Sequence, residues 1–547
     1  MLGMMMNVPL LVSSILRHAA TYHGSTEVVS KTVEGPVHRY TYSDLSKRSQ
    51  KLANGLKKLG LQHGDRVGTL AWNGYRHMEL YYGVSGSGFV CHTINPRLFP
   101  EQIGYIIEHA GDSVLFSDLT FLPILEALAD RLAPLKAVVI MTDEAHMPKS
   151  EVLPNLVCYE TLIAGEPDQF EWPVFDENTA SSLCYTSGTT GDPKGVLYSH
   201  RSTILHAMAA TFVDVLGLSA SDTVVPVVPM FHVNAWSLPY AAPMVGAKLV
   251  MPGPNLDGAS LHSLFDSEGV TFSAGVPTVW LGLLDWMDAK DQKFSALKRV
   301  AIGGAAPPPI MMDRFRDKGI KVRHAWGMTE TSPVGLAATL LPKHAALSAE
   351  EKCVLEAKQG RPLFGMEFRI EGSDGQPVAH DGRAFGSMLV RGSWVAAGYY
   401  NTEESPAHAV EGWFDTGDVV TMDADGFVQI VDRTKDVVKS GGEWISSIEL
   451  ENIAQAHPAV KEAAVVAAPD VRWGERPVLV VAVKPGQTFT RQDMLDVYTG
   501  KISKWSIPDD VIIVDELPHT ATGKLLKTAI RQIVADRWAQ RVPDDRR

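Results

Sequence analysis

Hydrophobic residues in the first part of the chain alternate between helical and strand-like spacing. One predicted helix begins at the N-cap candidates Thr41 and Ser43 and ends at Gly60, with four leucines between them on one face. Short apolar runs that predict buried strands follow at residues 65–72, 113–116 and 137–141. Helices that alternate with buried strands are typical of an α/β architecture with mainly parallel sheets, because helical crossovers cover both faces of such a sheet.

The pattern changes twice further along the chain. Residues 365–400 contain short strands between frequent glycines, which predicts a small antiparallel or barrel-like unit. From about Val437 onward, strands at 463–466 and 478–483 and a helix at 493–502 form a separate α+β pattern. We therefore predict a large N-terminal domain at 1–431, a linker at 432–437 and a small C-terminal domain at 438–547.

Residues 223–247 contain no charged side chain and are long enough to cross a membrane. Four prolines interrupt this segment, however, and His232 and Asn234 lie in its middle. Prolines would leave backbone groups unpaired in lipid. We therefore predict a buried strand followed by a helix that lines a cavity, with no transmembrane segment, while peripheral membrane contact stays open.

Composition narrows the possible classes of function. A chain of 547 residues is too long for one core, so two or more domains are expected. With 50 basic and 63 acidic residues, the net charge is −13, which argues against nucleic-acid binding. Four scattered cysteines without a C-x-x-C pair predict a cytoplasmic protein without a disulfide framework. No basic residue precedes the apolar N-terminal stretch, so we expect no signal peptide.

The loop at residues 185–196 has the composition of an anion-binding loop. Gly188, Gly191 and Gly195 let backbone N–H groups approach an anion, and Lys194 adds a charge. Further donors are the hydroxyls of Thr186, Ser187, Thr189 and Thr190. The order of residues differs from a P-loop, because Lys194 follows a proline and precedes a glycine. A solvated turn is the alternative, but the length and composition favour a phosphate site.

Seven segments, in order, resemble the signature motifs of the adenylate-forming superfamily, which includes acyl-CoA synthetases, luciferases and peptide-synthetase adenylation domains. They lie at residues 185–196, 229–236, 303–306, 326–330, 412–418, 432–436 with 439–443, and 522–524. Segments 231–236 and 440–446 are most similar to bacterial medium- and long-chain fatty-acyl-CoA synthetases. The resemblance implies an enzyme that uses ATP, Mg²⁺ and coenzyme A, and a small C-terminal domain that moves about a hinge.

The resemblance also implies a nucleotide site. Thr186 and Glu330 would supply oxygen ligands to Mg²⁺, and Thr329 would hold the α-phosphate. Asp418 would accept hydrogen bonds from the ribose hydroxyls, and Arg433 would donate to the sugar or to phosphate. The remaining members of the predicted nucleotide site are Ser187, Gly188, Thr189, Thr190, Lys194, Gly303, Gly304, Ala305, Trp326, Gly327 and Met328.

Two residues of this site depart from the family pattern. Trp326 stands where the family usually has tyrosine, and its flat ring would still stack on adenine. Ala325 stands where an amide side chain often reads the base, so base recognition must rest on other groups. Taken alone, Trp326 is more typical of an ordinary core residue, and Glu330 of a charge at a helix N-terminus.

For the acid and coenzyme A the resemblance implies two alternating arrangements. Lys524 would bridge the acid carboxylate and the α-phosphate, and rotation about hinge residues Asp432 and Lys435 would then bring Lys439 to the site.

The resemblance also implies the residues of each site. The predicted coenzyme A channel contains Lys439, Ser440, Gly441, Gly442, Glu443 and Trp444. The predicted acyl pocket contains His232, Val233, Trp236, Gly303, Gly327, Pro333 and Trp444. The predicted catalytic set is Lys524, Thr186, Glu330, His232 and Lys439. Trp444 resembles a gate over the acyl tunnel, and its alternative is packing at the domain interface.

The chemistry that follows is activation of a carboxylic acid as an acyl-adenylate, because a free carboxylate repels nucleophiles. No enzyme nucleophile is needed, so catalysis is positioning and charge neutralisation. We predict a fatty acid of medium to long chain as substrate, and a short or sulfur-containing acid such as 3-methylthiopropionate as the alternative.

Other classes of protein fit the sequence less well. An aminoacyl-adenylating domain would have Asp after Phe231, where this chain has His232. A non-catalytic nucleotide-binding protein would be expected to lack Lys524 or Glu330. Long-chain relatives are dimers, so a homodimer is predicted.

Overall fold

The computed structural model describes residues 1, 3–153, 155–186, 192–372, 374–441, 443–519 and 525–538, with only the backbone of Glu443. The chain divides into two compact units. The first contains residues 1–188, 192–367 and 390–414, and the second contains residues 189–191, 368–389 and 415–547. The predicted boundary at residues 432–437 stays a prediction.

Two mainly parallel sheets form the framework of the first unit. Within the described ranges, one sheet has seven strands, in the spatial order Leu156–Cys158, Ala137–Ile140, Asp112–Ser117, Arg66–Leu70, Val90–Thr93, Ala180–Tyr185 and Gly195–Ser199. The last two strands are antiparallel, and the other neighbours are parallel. Strand Ala137–Ile140 is buried along its whole length, as expected when helices cover both faces of a parallel sheet.

The other sheet of the first unit has nine strands in the part of the chain that the structure describes. Their spatial order is Arg361–Pro362, Val334–Ala337, Lys321–Gly327, Arg299–Ile302, Phe272–Gly275, Thr223–Pro226, Lys248–Met251, Glu27–Lys31 and Val37–Thr41. The central strands are parallel, and antiparallel strands close both edges. Apolar side chains of this sheet and its helices, including Trp280, Val300 and Phe315, form one continuous core cluster.

Helices connect these strands. In the first unit they span Val12–Tyr22, Tyr42–Lys58, Tyr75–Gly86, Pro100–Ala110, Leu122–Ala127, Ala129–Leu132, Tyr159–Ala164, His200–Thr211, Leu238–Val245, Gly258–Glu268, Pro277–Ala289, Pro309–Asp317 and Ala349–Ala357. The helix predicted after Thr41 is confirmed as Tyr42–Lys58. Thr41 caps it, because the Thr41 side chain accepts from the Asp44 N–H while the Asp44 carboxylate accepts from the Thr41 N–H.

The second unit contains most of a four-stranded sheet and a complete α+β sheet. Among its described residues, the first sheet has the order Met366–Glu371, Phe385–Gly392, Phe414–Met422 and Val428–Arg433. The other has the order Glu443–Ile445, Val438–Ser440, Gly474–Val483 and Val460–Asp470, and Asp510–Val514 also pairs with Gly474–Val483. Its helices are Ser447–Gln455, Arg491–Asp496 and Lys527–Trp538. The predicted α/β class, with a smaller α+β part, is confirmed.

One sequence prediction differs in detail from the structure, and another is matched. The helix predicted at 493–502 ends at Asp496, and turns follow it. The uncharged segment 223–247 is strand Thr223–Pro226, a connecting loop at 227–237 and helix Leu238–Val245. This arrangement follows the prediction, because Pro239 lies at the start of the helix and the strand lies inside the sheet. Over the described residues, the structure contains no helix with the length and hydropathy needed to span a bilayer.

Candidate active site

The predicted phosphate loop joins two antiparallel strands of the seven-stranded sheet. Tyr185, the last residue of one strand, pairs with Gly195, the first residue of the other. The Thr186 N–H donates to the Lys194 carbonyl (2.9 Å), and the Lys194 N–H donates to Thr186 Oγ1 (3.3 Å). The two described ends of the loop are therefore held together as a hairpin. Ser187, Gly188, Thr189 and Thr190 of the predicted site lie outside the described residues.

Glu330 lies in a short turn that two neighbouring segments hold in place. The turn Thr329–Thr331 follows strand Lys321–Gly327. The Tyr198 hydroxyl donates to the Thr329 carbonyl (2.6 Å), and the Ala396 N–H donates to the Glu330 carbonyl (2.8 Å). The Glu330 residue is only 6% exposed. A buried carboxylate is costly unless it is hydrogen-bonded, so its partner is an important part of the site.

That partner is Tyr399, which the sequence motifs did not identify. The Tyr399 hydroxyl donates to Glu330 Oε1 over 2.7 Å. The Lys194 Nζ lies 5.0 Å from the centre of the Tyr399 ring, within range of a cation–π interaction. The phosphate-loop lysine and the buried carboxylate therefore contact two parts of one side chain. In the sequence, Tyr399 belongs to the glycine-rich stretch 365–400, and no local signal there links it to Glu330.

Thr186 and Glu330 offer the donor atoms that Mg²⁺ prefers. This ion takes hard oxygen ligands, keeps several waters and usually binds through one or two protein groups together with substrate phosphates. Across the described ranges, no group of three or more His, Cys, Asp or Glu side chains is placed to hold a metal ion. One hydroxyl and one carboxylate thus fit an ion that shares its coordination with a nucleotide.

Gly303, Trp236 and Ala325 lie together in the first unit. A Cβ atom on Gly303 would lie 2.9 Å from the Ala325 carbonyl oxygen and 3.0 Å from the Trp236 ring, so no larger residue fits there. Trp326 is buried and packs against Gly335, where a Cβ would lie 2.9 Å from the indole ring. The role of Trp326 in stacking on adenine stays a prediction. Gly304 and Ala305 are exposed, and their contact with a nucleotide stays a prediction.

The loop after Phe231 has an unusual backbone. Residues 233–237 (Val, Asn, Ala, Trp, Ser) are all non-glycine, and their φ angles lie between 46° and 62°. This left-handed region costs such residues roughly 1–2 kcal/mol each. The surrounding structure must therefore hold the loop, and backbone strain of this kind concentrates at functional sites.

Asn73, just before helix Tyr75–Gly86, and Tyr81, within that helix, hold the residues that lead into this loop. Asn73 Nδ2 donates to the carbonyls of Pro226 (2.7 Å) and Val228 (2.9 Å), and its Oδ1 accepts from the Met230 N–H (2.6 Å). The Tyr81 hydroxyl donates to the Met230 carbonyl (2.5 Å). All of these groups are buried, so the hydrogen bonds are protected from competition with water.

His206 connects the end of the loop to the strand after the Glu330 turn. The Val334 N–H donates to His206 Nε2 (2.9 Å), so the proton is on Nδ1, which donates to Ser237 Oγ (2.7 Å). Burial lowers the pKa of His206 to about 3. The imidazole is therefore neutral near pH 7, and it fixes Ser237 relative to Val334.

The predicted acyl-pocket residues are only partly brought together. Trp236 contacts the Gly303 position, and Gly327 lies directly against Pro333. Val233 is buried at the start of the left-handed loop, whereas the His232 side chain is exposed. Trp444 belongs to the second unit, where its ring centre lies 5.9 Å from that of Phe385.

An apolar cavity lies behind the left-handed loop. It is small, with a volume of about 50 Å³, and Trp72, Phe231, Val276 and Val279 are part of its lining. The Val276 side chain also lies 3.3 Å from the position of a Cβ on Gly304, so the cavity adjoins the exposed glycine turn. The principal charged group at the cavity is Arg97, which lies over the Phe231 ring at 5.9 Å.

In the second unit, Asp418 and Arg433 form a pair. They face each other across two antiparallel strands, and Arg433 Nε lies 2.7 Å from Asp418 Oδ1. Asp418 is fully buried, while the Arg433 side chain is 44% exposed. The structure therefore brings together the two residues that were predicted to contact the same sugar, although their contact with ribose stays a prediction.

The two predicted hinge residues lie in different surroundings. The Asp432 carboxylate is fully buried and accepts hydrogen bonds from the Ser447 N–H and hydroxyl, at the start of helix Ser447–Gln455. Burial raises the pKa of Asp432. Lys435 is part of the following turn, where its carbonyl accepts from Arg531 (2.7 Å), and burial lowers the pKa of its ammonium group. Their hinge role stays a prediction.

The predicted coenzyme A segment is a hairpin of strands Val438–Ser440 and Glu443–Ile445. Lys439 is exposed, and Ser440 Oγ accepts from the buried Arg476 (3.0 Å). Gly441 has φ +61°, and a Cβ there would lie 2.7 Å from the Trp473 ring. Trp473 was missed in the sequence, where an isolated tryptophan in a charged segment carries no clear signal. Gly442, the Glu443 side chain and Lys524 lie outside the described residues.

Comparison with known proteins places these observations in context. Residues 15–400 match a family model described as AMP-binding enzyme, and residues 449–524 match one described as AMP-binding enzyme C-terminal domain. The chain is 52% identical to a 3-methylmercaptopropionyl-CoA ligase from Ruegeria lacuscaerulensis, over 98% of this chain and 99% of that protein. It is 51% identical to a medium-chain-fatty-acid–CoA ligase from Ectopseudomonas oleovorans, over 98% of both.

A solved structure is similar over nearly the whole chain. The anthranilate CoA ligase AuaEII, crystallised with anthranoyl-AMP, has a TM-score of 0.82 and 26% identity, covering 97% of this chain and 99% of that one.

Proposed function

The chain belongs to the family of AMP-binding enzymes and is an AMP-forming acyl-CoA ligase, and from this premise we propose that it activates medium- to long-chain fatty acids. The observation that carries the choice of substrate is the apolar cavity beside the Gly303–Gly304 turn. Its lining of aromatic and branched aliphatic side chains suits an alkyl chain, whose transfer from water is favourable by roughly 0.8 kcal/mol per methylene group.

In the first half-reaction, an oxygen of the acid carboxylate attacks the α-phosphorus of ATP. A bond forms between that oxygen and phosphorus, and the bond to pyrophosphate breaks, which gives the acyl-adenylate. Thr186 and Lys194 hold the phosphates, and Lys524 bridges the carboxylate and the α-phosphate. Asp418 and Arg433 bind the ribose. Mg²⁺, when bound by Thr186 and Glu330 with the nucleotide, supplies positive charge that offsets the charge of the phosphates.

In the second half-reaction, the thiol of coenzyme A attacks the acyl carbon. A carbon–sulfur bond forms, the carbon–oxygen bond to AMP breaks, and the thiol proton passes to solvent. The exposed Lys439 and Gly441 are assigned to the coenzyme A channel, because Lys439 offers a positive charge and Gly441, at φ +61°, places no side chain between the hairpin and the Trp473 ring.

A second candidate substrate is 3-methylthiopropionate. The identity of 52% to a 3-methylmercaptopropionyl-CoA ligase favours it. A thioether sulfur packs against aliphatic and aromatic groups much as a methylene group does. The same apolar lining therefore also suits a short thioether acid.

One experiment separates these candidates. Pyrophosphate release is measured with straight-chain acids of increasing length and with 3-methylthiopropionate, each with and without coenzyme A. Our proposal expects kcat/KM to rise with chain length up to a medium or long chain and then to level off. A maximum at 3-methylthiopropionate, with no gain for longer acids, supports the second candidate. Absence of pyrophosphate release with every acid contradicts both.

We further propose that the enzyme works in the cytoplasm as a homodimer. All four cysteines are free thiols, as suits a reducing compartment. Near the N-terminus, Met4, Met5, Met6 and Val8 are at least 70% exposed, and such an apolar segment is suited to contact with a second copy. Sedimentation of the full chain and of a chain without residues 1–9 tests this: the dimer should weaken on truncation.

A further inference from the structure

Tyr399 lies between the two charged groups that the proposed function assigns to the phosphate and metal ends of the site. Its hydroxyl donates to Glu330 Oε1 (2.7 Å), and the Lys194 ammonium lies 5.0 Å from the centre of its ring. Within the described residues, no ion pair joins Lys194 to Glu330, so the two opposite charges contact the tyrosine instead of each other. Both charges therefore stay available to a ligand.

The backbone around Tyr399 is tied to both sides of the same site. The Tyr400 N–H donates to the Gly195 carbonyl (2.8 Å), next to Lys194 in the phosphate loop. The Ala396 N–H donates to the Glu330 carbonyl (2.8 Å). The segment that carries Tyr399 is thus fixed to the loop at one end and to the Glu330 turn at the other.

The chemistry of a phenol suits this position. A carboxylate can only accept hydrogen bonds when it is ionised, so it requires a donor that keeps its proton. A phenol keeps its proton near pH 7, because its ordinary pKa is about 10. A lysine or arginine in the same place would form an ion pair with Glu330 and would compete with a bound cation, whereas a neutral donor orients the carboxylate and leaves its charge intact.

We propose that Tyr399 is a positioning residue that orients Glu330 toward Mg²⁺ and supports Lys194 at the phosphates. This assignment rests on the proposed adenylation of an acid by ATP. It makes one aromatic side chain the link between the metal end and the phosphate end of the site. Its hydroxyl and its ring have separate tasks, so different substitutions can separate them.

Tyr399→Phe tests the hydroxyl, and Tyr400→Phe is the matched control. The Tyr400 hydroxyl donates to the Ala110 carbonyl (3.3 Å), which is not part of the site. For Tyr399→Phe we expect the Mg²⁺ concentration that gives half-maximal pyrophosphate release to rise by about tenfold, since a hydrogen bond to a charged group is lost. Thioester formation from preformed acyl-adenylate should be unchanged, which also shows that the variant folds. Tyr400→Phe should leave both values at the wild-type level.

Calorimetry gives a readout that needs no turnover. Titration with ATP in the presence and absence of Mg²⁺ should show that Tyr399→Phe weakens binding of the Mg²⁺ complex while binding of metal-free ATP is unchanged. Equal affinities for wild type and Tyr399→Phe in both titrations overturn the assignment. If the wild type binds ATP but releases no pyrophosphate with any acid, the proposed function fails, and the calorimetric comparison still decides the role of Tyr399.

Two further variants test the link to each neighbour. In a Glu330→Gln background, Tyr399→Phe should have little additional effect on the Mg²⁺ dependence, because the charged acceptor has already been removed. A full additional tenfold effect there would overturn the proposal. Tyr399→Leu removes the ring as well, and should raise the KM for ATP above that of Tyr399→Phe, because Lys194 loses its support. Identical KM values for ATP in the two variants would overturn the role of the ring.

Discussion

Tyr399 and Glu330 are 69 positions apart in the sequence, and they form a hydrogen bond at the centre of the proposed site. The chemistry of this enzyme depends on single residues, because each half-reaction needs a few charged side chains and a few glycines. Lys524 and Gly441 represent these two kinds of residue. Each is expected to affect one half-reaction and to leave the other almost unchanged.

Lys524→Ala should lower the rate of pyrophosphate release on the order of 100-fold, because it removes the positive charge assigned to the developing charge at the α-phosphate. Thioester formation from preformed acyl-adenylate should stay within a few fold of wild type. Lys501→Ala, a change at an exposed lysine of the same unit, is the control. Equal loss in both half-reactions would show that Lys524 has a general structural role.

Gly441→Val should have the opposite profile. A side chain at this position meets the Trp473 ring at 2.7 Å and must adopt φ +61°, so the channel hairpin is displaced. We expect coenzyme A-dependent turnover to fall on the order of 100-fold, while pyrophosphate release without coenzyme A is retained. Gly486→Val is the matched control, because Gly486 has φ +76° and no atom within 4 Å of a Cβ. A similar loss in both variants would assign the effect to backbone strain alone.

At the scale of elements, the left-handed turn at 233–237 is the feature that most needs its surroundings. Its five residues have no intrinsic preference for positive φ. Asn73 and Tyr81 hold the residues that lead into the turn, the Tyr81 hydroxyl also contacts Asn234 within it, and His206 holds its end. These residues come from other helices and loops. The shape of the acyl side of the site therefore depends on elements that precede it in the sequence.

Asn73→Ala should lower the free energy of unfolding by about 3 kcal/mol, since it leaves two buried carbonyls and one N–H without their partner. It should also raise the KM for the acid, because the left-handed loop loses its support. Asn54→Ala is the control: the Asn54 amide likewise donates to two carbonyls, but at the surface, so a cost below about 1 kcal/mol is expected. Urea unfolding and acid titrations measure both effects, and equal costs would contradict the assignment.

At the scale of the whole molecule, burial of titratable groups links stability to pH. Burial lowers the pKa of His77 and His324 to about 4, and that of His200 and His206 to about 3. Each of these histidines is neutral in the folded chain near neutral pH, whereas in the unfolded chain it takes up a proton below about pH 6.5. Their contribution to stability is therefore fully present above pH 6.5, and it is lost as the pH falls toward their folded pKa values.

His206→Gln isolates one of these groups. The amide of glutamine keeps a donor and an acceptor for Ser237 and Val334, but it does not titrate. Between pH 7 and pH 5, the wild type should lose about 2 kcal/mol more unfolding free energy than the variant, because one extra proton binds to the unfolded wild type. Urea unfolding at several pH values measures the difference. Asp118, whose pKa burial raises to about 7, acts in the opposite direction in both proteins and cancels from the comparison.

The sequence by itself determined the class of fold and the class of chemistry. Alternating apolar runs predicted the parallel sheets, and the capping residue Thr41 predicted the start of a helix, because these signals depend only on near neighbours in the chain. The ordered motifs indicated an adenylate-forming enzyme for the same reason: loops such as 185–196 bring their donor atoms together within a few residues.

Only the tertiary structure decided which distant residues complete the site. Tyr399 beside Glu330, His206 between Ser237 and Val334, and Trp473 over Gly441 are contacts between remote segments, and no local spacing encodes them. The positive φ angles of residues 233–237 have the same origin, since non-glycine residues adopt them only when other elements hold them there. A site formed by consecutive residues can be predicted from the sequence, whereas the partner of a buried group depends on which elements the fold brings together.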